Sequence, residues 1–304
     1  MQPRQENHSE ELGSAARDEP PVFLNYTREE LDRNFNQRVW ASNAEAVIAK
    51  YRERSSETRK HLRLETVRYG DSPDEVLDIF PASSRNAPIN VFVHGGAWLH
   101  FTKDDYSFVA IPLVAAGITT IVLNFTNLPQ VSLSEMIAQV RRGIRWAGEN
   151  ATRFGGDPQA LSVSGWSSGA HLAAMALVNS VEEPLSRGGV KLAFCVSGPY
   201  DMEPVMLSAR SAYVKITKDQ QRLLSPRHNA DHYDTSFFLA YAENDTDEFR
   251  RQSLDFAAVL DRVERLAGTR CFSGLNHFEL AETLGIRGAP LSNLLIEKIK
   301  TFAR

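Results

Sequence analysis

Short apolar runs alternate with longer amphipathic stretches along most of this chain. Continuous apolar runs at 89–93, 119–125, 160–165, 191–198 and 236–242 are typical of strands buried on both faces. Segments with apolar residues at helical spacing separate them, so the pattern predicts an α/β fold with a mostly parallel central sheet and helices on both faces. Two earlier β-type runs, LRLETVRY and EVLDIF, flank a Gly-Asp-Ser-Pro turn and predict an antiparallel start to the sheet.

Two helical segments interrupt this alternation. Residues 26–60 carry apolar positions at helical spacing, and Thr27 followed by Glu30 predicts a capping box at the start of a helix. Residues 200–234 are helical and polar with no clear strand, which predicts a short helical insertion over the top of the sheet. We therefore expect one α/β domain at 23–304 with helical cap elements at 26–60 and 200–234, preceded by a flexible segment at 1–22.

Composition excludes several classes of partner. Of the 304 residues, 42% are hydrophobic and 24% charged, and the formal net charge of −4 gives no basic field for nucleic acid or an anionic membrane. The N-terminus lacks an apolar signal core and no run approaches the ~20 apolar residues of a membrane span, which predicts a cytoplasmic protein. Cys195 and Cys271 lie in strand-like runs without a Cys/His cluster, so we expect two buried thiols and neither a metal nor another cofactor.

The segment Gly165-Trp166-Ser167-Ser168-Gly169 lies between a predicted strand and a predicted helix. A G-x-S-x-G pattern in that context places a serine on a sharp strand-to-helix turn, where its hydroxyl stands clear of the sheet. Ser167 is the central residue and the predicted nucleophile. Ser168 begins the helix, where its backbone N–H is placed to donate to an oxyanion.

A second glycine-containing segment, HGGAW, directly follows the strand that ends at 93. Glycines here allow backbone N–H groups to turn toward a developing oxyanion. We assign the N–H groups of Gly96, Ala97 and Ser168 to an oxyanion hole, with Gly95 as an open alternative. His94 is interpreted as structural.

A serine nucleophile requires a base, and in this type of fold the acid and then the histidine follow the serine along the chain. His277 lies after the last predicted strand and before a helix, where it would overhang the site, and we predict it as the base. His171 is interpreted as a packing residue of the nucleophile helix, and His228 and His232 lie in the predicted insertion.

The loop after the strand at 236–242 carries four carboxylates, Glu243, Asp245, Asp247 and Glu248. Asp245 is predicted to orient the histidine because it is far enough from the strand end to project over the sheet. Asp247 and Glu248 are typical of the first turn of the following helix.

These residues make the chain similar to the α/β-hydrolase superfamily, and within it to the kynurenine formamidase (arylformamidase) and small carboxylesterase group. The matching text is HGGAW, GWSSGAHLAA, SGPYDMEPV, AENDTDEFRRQS, LNHFEL and FNQR, over about residue 25 to the end. The family's acid falls on Asp245 and its histidine on His277. One departure is the segment 125–129, FTNLP, where many relatives have a tyrosine-rich stretch.

The resemblance and the motifs together predict a serine hydrolase that cleaves an ester, aryl-amide or formamide bond through an acyl-enzyme. The expected substrate is a small molecule, and aromatic residues near the motifs favour an aromatic one. N-formylkynurenine is the best-known substrate of the family. The alternatives are a carboxylesterase without formamidase activity and a non-catalytic small-molecule-binding protein on a hydrolase scaffold. Four aromatic residues near the motifs are expected to line the substrate pocket: Trp98, Trp166, Tyr200 and Phe125.

Overall fold

A computed structural model describes residues 19–179, 185 and 189–303. Its centre is an eight-stranded sheet in the order β1-β2-β4-β3-β5-β6-β7-β8. The strands are β1 (Glu65–Arg68), β2 (Val76–Phe80), β3 (Ala87–Val93), β4 (Thr119–Leu123), β5 (Gly156–Trp166), β6 (Leu192–Val196), β7 (Ser236–Asn244) and β8 (Leu266–Asn276). Only the pairs β1/β2 and β2/β4 are antiparallel, so the predicted antiparallel start and parallel remainder are confirmed.

The register of the central strands brings the two glycine-containing motifs together. Val93, the last residue of β3, lies beside Gly165 of β5. Because parallel strands end at the same edge of a sheet, the segments that follow them, HGGAW and Ser167 with its helix, meet at that edge.

Helices cover both faces of the sheet. They are α1 (Arg28–Phe35), α2 (Gln37–Trp40), α3 (Ala44–His61), α4 (Ala110–Ala115), α5 (Leu133–Glu149), α6 (Ser168–Ala176), α7 (Met202–Leu207), α8 (Ser211–Val214), α9 (Lys218–Leu223), α10 (Asp247–Arg262), α11 (His277–Glu282) and α12 (Pro290–Phe302). Alternate residues of β3 enter different cores: Val91 and Val93 pack in one, and Phe92 packs in the other. This division is what a strand buried on both faces requires.

The two predicted helical cap elements are present. The predicted capping box forms at the start of α1, where Thr27 and Glu30 bond reciprocally to each other's backbone N–H. Helices α1 to α3 form the N-terminal extension, and α7 to α9 with two short 3₁₀ turns form the insertion. Residues 1–18 of the predicted flexible segment lie outside the described residues, and its boundary at residue 22 stays a prediction.

A buried charged cluster fastens the extension to the sheet. The side chain of Asp78 on β2 has no exposed surface and accepts hydrogen bonds from Arg59 of α3, from Lys103 Nζ at 3.1 Å and from Thr66 Oγ1 at 2.5 Å. Asp104, 60% exposed, contacts the same two cations from the outside.

Replacing Asp78 with asparagine is expected to lower the free energy of unfolding by about 3–5 kcal/mol, because two enclosed cations lose their buried counter-charge. Asp104→Asn is the matched control and should cost less than about 1 kcal/mol, since an exposed ion pair is screened by water. Urea unfolding of both variants measures the difference. Equal losses would show that burial of Asp78 is not what makes the cluster stabilising.

The two cysteines differ in burial. Cys195 on central strand β6 is buried, as predicted, and burial raises the pKa of its thiol. The prediction that Cys271 is buried is wrong, because β8 is the edge strand and exposes most side chains around that position. In the described part of the chain, no helix combines the length and apolar character needed to cross a bilayer.

Candidate active site

Ser167 lies on a tight turn between β5 and α6. Its backbone has φ 55° and ψ −127°, a strained conformation for a residue with a side chain, and its N–H donates to the Val196 carbonyl at 2.8 Å. The flanking glycines permit this turn: a Cβ on Gly165 would lie 2.5 Å from the Gly169 carbonyl oxygen, and one on Gly169 would overlap the Val93 carbonyl oxygen. The pattern's two glycines are therefore required by close backbone approach.

The three predicted catalytic side chains form one hydrogen-bonded chain. His277 Nε2 lies 3.0 Å from Ser167 Oγ, and His277 Nδ1 lies 2.6 Å from Asp245 Oδ1. When Nδ1 carries the proton, it donates a hydrogen bond to the carboxylate. Nε2 is then free to accept a hydrogen bond from the serine hydroxyl. Both partners are enclosed, with side-chain exposures of 2% for His277 and 0% for Asp245.

Asp245 is held by two further donors. Ser197 Oγ donates to Oδ2 at 2.6 Å, and the Ala242 N–H donates to the same oxygen at 2.8 Å. These bonds fix the carboxylate so that Oδ1 faces the imidazole. Ser197 was not singled out from the sequence, because it lies at the end of a neighbouring strand and belongs to no motif with Asp245.

The imidazole of His277 is fixed by its helix and by two rings. His277 is the first residue of α11, which Asn276 caps in a box with Glu279. The ring of Trp166 lies 4.8 Å from the imidazole centroid, and that of Phe249 meets it edge-on at 5.3 Å. The sequence predicted that His277 lies between the last strand and a helix, and in the structure it follows β8 directly as the first residue of α11. The roles of Asn276 and Phe249 were not predicted.

The segment after β3 turns its backbone toward the same edge. Gly96, Ala97 and Trp98 have positive φ angles of 126°, 55° and 63°. The Gly96 and Ala97 N–H groups have no hydrogen-bond acceptor within the described residues, and both residues line the cleft that contains Ser167. The Ser168 N–H is the first of α6 and is unpaired within a helix by geometry.

Gly95, the alternative oxyanion residue, lies deeper than its neighbours. A Cβ on Gly95 would lie 2.5 Å from the Trp166 ring, and its carbonyl oxygen is 2.9 Å from His94 Nδ1. It is not among the residues that line the cleft. The geometry therefore favours Gly96 and Ala97 over Gly95 as donors.

The cleft above Ser167 has a volume of about 480 Å³. One wall comes from the N-terminal extension, including Phe35 and Gln37, and another from the insertion, including Arg210 and Tyr213. Phe101 and Phe278 complete an aromatic lining with Trp166. The predicted cap elements thus shape the cleft.

Of the four aromatic residues expected in the pocket, only Trp166 lines this cleft, and the expectation fails for Trp98, Phe125 and Tyr200. The Phe125 ring stacks on His94 at 4.3 Å and that of Tyr200 stacks on Phe256 at 4.6 Å. These rings are buried because aromatic side chains next to a motif can gain more by packing beneath it than by facing the cleft.

Two other histidines have structural surroundings. Burial lowers the pKa of His94 and of His171 to about 4, so both rings are neutral near pH 7. His171 Nδ1 accepts from Trp98 Nε1 at 3.3 Å, and its Nε2 lies 2.9 Å from the Leu224 carbonyl oxygen. His171 therefore connects the HGGAW segment, which contains Trp98, to the insertion, which contains Leu224. Within residues 19–179, 185 and 189–303, no cluster of three or more His, Cys, Asp or Glu side chains is arranged to hold a metal.

This chain is similar to known proteins over most of its length. The BD-FAE family model matches residues 77–260. The chain is 29% identical over 285 residues to the kynurenine formamidase of Salmo salar, covering 89% of this chain and 96% of the relative. It is 30% identical over 240 residues to the kynurenine formamidase of Danio rerio, covering 77% and 80%. The crystal structure of a candidate thioesterase from Silicibacter sp. TM1040 superposes with a TM-score of 0.78 and 20% identity, covering 89% of this chain and 99% of that one.

Proposed function

Because the chain belongs to the BD-FAE family of α/β-hydrolases, we propose that it is a serine hydrolase that cleaves the formamide or ester bond of an aromatic small molecule. The observation that carries this proposal is the hydrogen-bonded chain from Ser167 through His277 to Asp245 beside the free N–H groups of Gly96 and Ala97. Catalytic serines require these two features, an activating base and prealigned donors.

The geometry supports an acyl-enzyme mechanism. Ser167 Oγ attacks the carbonyl carbon while His277 Nε2 takes the hydroxyl proton, and the carbonyl oxygen becomes an oxyanion. His277 then gives that proton to the leaving amine or alcohol as its bond to the acyl carbon breaks. Water, deprotonated by the same imidazole, then attacks the acyl carbon. The bond from that carbon to Ser167 Oγ breaks, His277 returns the proton to Oγ, and the carboxylic acid leaves.

Two structural features assist these steps. Asp245 keeps the proton on Nδ1 and stabilises the imidazolium that forms. The N–H groups of Gly96, Ala97 and Ser168 face the developing oxyanion, and each such donor is typically worth about 3–4 kcal/mol of barrier stabilisation.

An aromatic formamide fits the cleft and the relatives. The rings of Phe35, Phe101, Trp166 and Phe278 line the space next to Ser167, which favours a flat apolar leaving group. Both reported curated relatives are kynurenine formamidases, and one of them matches over 96% of its length. We therefore propose an arylformamidase-like activity, with N-formylkynurenine as the first substrate to test.

A substrate panel tests this proposal. We expect the purified protein to hydrolyse N-formylkynurenine, followed by the absorbance of the released aromatic amine, and also the shorter members of a p-nitrophenyl ester series of increasing acyl length. Ser167→Ala serves as the background control for both reactions. Turnover of the esters without N-formylkynurenine would replace the formamidase proposal with a carboxylesterase.

A further inference from the structure

Arg210 is a partly buried cation in the wall of the cleft above Ser167. It lies between α7 and α8 of the insertion and lines the same cleft as Ser167. Its guanidinium carbon lies 5.4 Å from the ring centroid of Phe35, 5.6 Å from that of Trp98 and 5.9 Å from that of Phe249. Three aromatic rings therefore surround a group that carries a permanent positive charge.

The hydrogen bonds of this guanidinium are incomplete. Nη2 donates to the Phe35 carbonyl oxygen at 2.6 Å, whereas Nη1 is buried and has no acceptor. No carboxylate lies within ion-pair distance of Arg210 in the part of the chain that the structure describes. Burial of the guanidinium lowers the pKa of Arg210.

The other charged residues of the cleft already have partners or water. Arg38 pairs with Glu45, and Arg33 is exposed. Asp32 also lines the cleft. Its Oδ1 accepts a hydrogen bond from the Ala209 N–H at 2.5 Å and lies 3.4 Å from Arg28 Nε. Arg210 is thus a cation held in the cleft wall with an unused donor, which is the arrangement that an anionic ligand group requires.

We propose that Arg210 is the specificity-determining residue that binds a carboxylate on the leaving-group side of the substrate, so that the enzyme selects aryl formamides or aryl esters that carry a carboxylate. This inference rests on the proposed function. The Phe249 ring contacts both the Arg210 guanidinium and the His277 imidazole. The proposed carboxylate subsite at Arg210 is therefore separated from the catalytic imidazole by a single aromatic ring. A guanidinium suits this role because its fork of donors matches a carboxylate.

Two matched pairs of substrates test the proposal. The members of each pair differ in one group, a carboxylate in the first and a carboxamide in the second: N-formyl-L-kynurenine and its carboxamide, and para-acetoxyphenylacetate and para-acetoxyphenylacetamide. We expect the parent enzyme to favour the carboxylate member in kcat/KM, mainly through KM. Arg210→Met should lower kcat/KM for the carboxylate members by about 10- to 100-fold and leave the carboxamide members within about threefold.

Three further measurements separate binding from a structural role. Arg210→Lys keeps the charge without the fork and should recover part of the preference. Lys218→Gln removes an exposed cation of the same insertion that lies outside the cleft, and the preference should stay unchanged. On Ser167→Ala, titration calorimetry with the intact substrates should show tighter binding of the carboxylate member without turnover.

The outcomes are distinct. Equal losses for carboxylate and carboxamide members in Arg210→Met, or equal binding of both members by Ser167→Ala, would overturn the proposal and make Arg210 a packing residue. If Arg210→Met does not fold, the partial loss of preference in Arg210→Lys and the calorimetry of Ser167→Ala decide. Failure to hydrolyse the formamide pair alone counts against the formamidase proposal, while the ester pair still tests Arg210.

Discussion

Ser167→Ala is expected to abolish covalent labelling by a fluorophosphonate and to reduce turnover by roughly 10⁴- to 10⁶-fold. The hydroxyl of Ser167 is the group 3.0 Å from His277 Nε2, and alanine removes the nucleophile without altering the oxyanion donors. Labelling followed by gel fluorescence and kcat on the preferred substrate measure both effects.

The neighbouring serine provides the control. Ser168 Oγ accepts a hydrogen bond from the Trp98 N–H at 3.2 Å and so helps to hold the HGGAW segment in place. We expect the fluorophosphonate to label Ser168→Ala more slowly than the parent protein, but still to label it. Labelling that persists in Ser167→Ala and disappears in Ser168→Ala would move the nucleophile to Ser168. No labelling of the parent protein would favour a non-catalytic binding protein.

Asp245→Asn is expected to lower kcat by about 10⁴-fold with little change in KM. The carboxylate accepts from His277 Nδ1, Ser197 Oγ and the Ala242 N–H. Asparagine presents an NH₂ group on one side, so it meets a donor there and no longer keeps the proton on Nδ1. Steady-state kinetics measure the loss.

Asp247→Asn is the matched control for this variant. Asp247 lies on the same loop, is 65% exposed and pairs with Arg250, so we expect kcat within about twofold of the parent. A similar fall in both variants would indicate that the net charge of the loop, rather than the contact with His277, sustains activity.

The positions of Ser167 and His277 relative to the strands and helices could be predicted because their signals are local. The glycines around Ser167 and the position of His277 after the last strand follow from the short-range needs of a turn and a helix start. The alternation of buried strands and helices predicted the parallel sheet, and the two early β-type runs predicted its antiparallel start. The structure confirms both.

What the sequence did not predict depends on contacts between distant segments. Ser197 reaches Asp245 across neighbouring strands, and Arg210 reaches the Phe35 carbonyl across 175 positions. The burial of Phe125 beneath His94 is a packing choice that hydrophobic patterning cannot distinguish from pocket lining. The exposure of Cys271 follows from the edge position of β8, which depends on the strand order.

The FTNLP segment at 125–129 supports the HGGAW loop from below. The Leu128 N–H donates to the Trp98 carbonyl oxygen at 2.9 Å, and Asn127 Nδ2 donates to the Phe101 carbonyl oxygen at 2.9 Å. Its side chains therefore act on the shape of the loop rather than as walls of the cleft.

The N-terminal extension contacts both loops that carry the proposed base and its partner. Thr246, next to Asp245, donates to the Asn34 carbonyl oxygen at 2.9 Å and accepts from Gln37 Nε2 at 3.2 Å, and Asn43 Nδ2 bonds Glu279 of the helix that begins at His277. Residues 34–43 thus serve as a template that aligns the proposed catalytic groups, which lie near the other end of the chain. A change in this extension would therefore alter substrate choice and reaction rate together. New specificities are expected to require one change in the extension and a matching change in the segments it contacts.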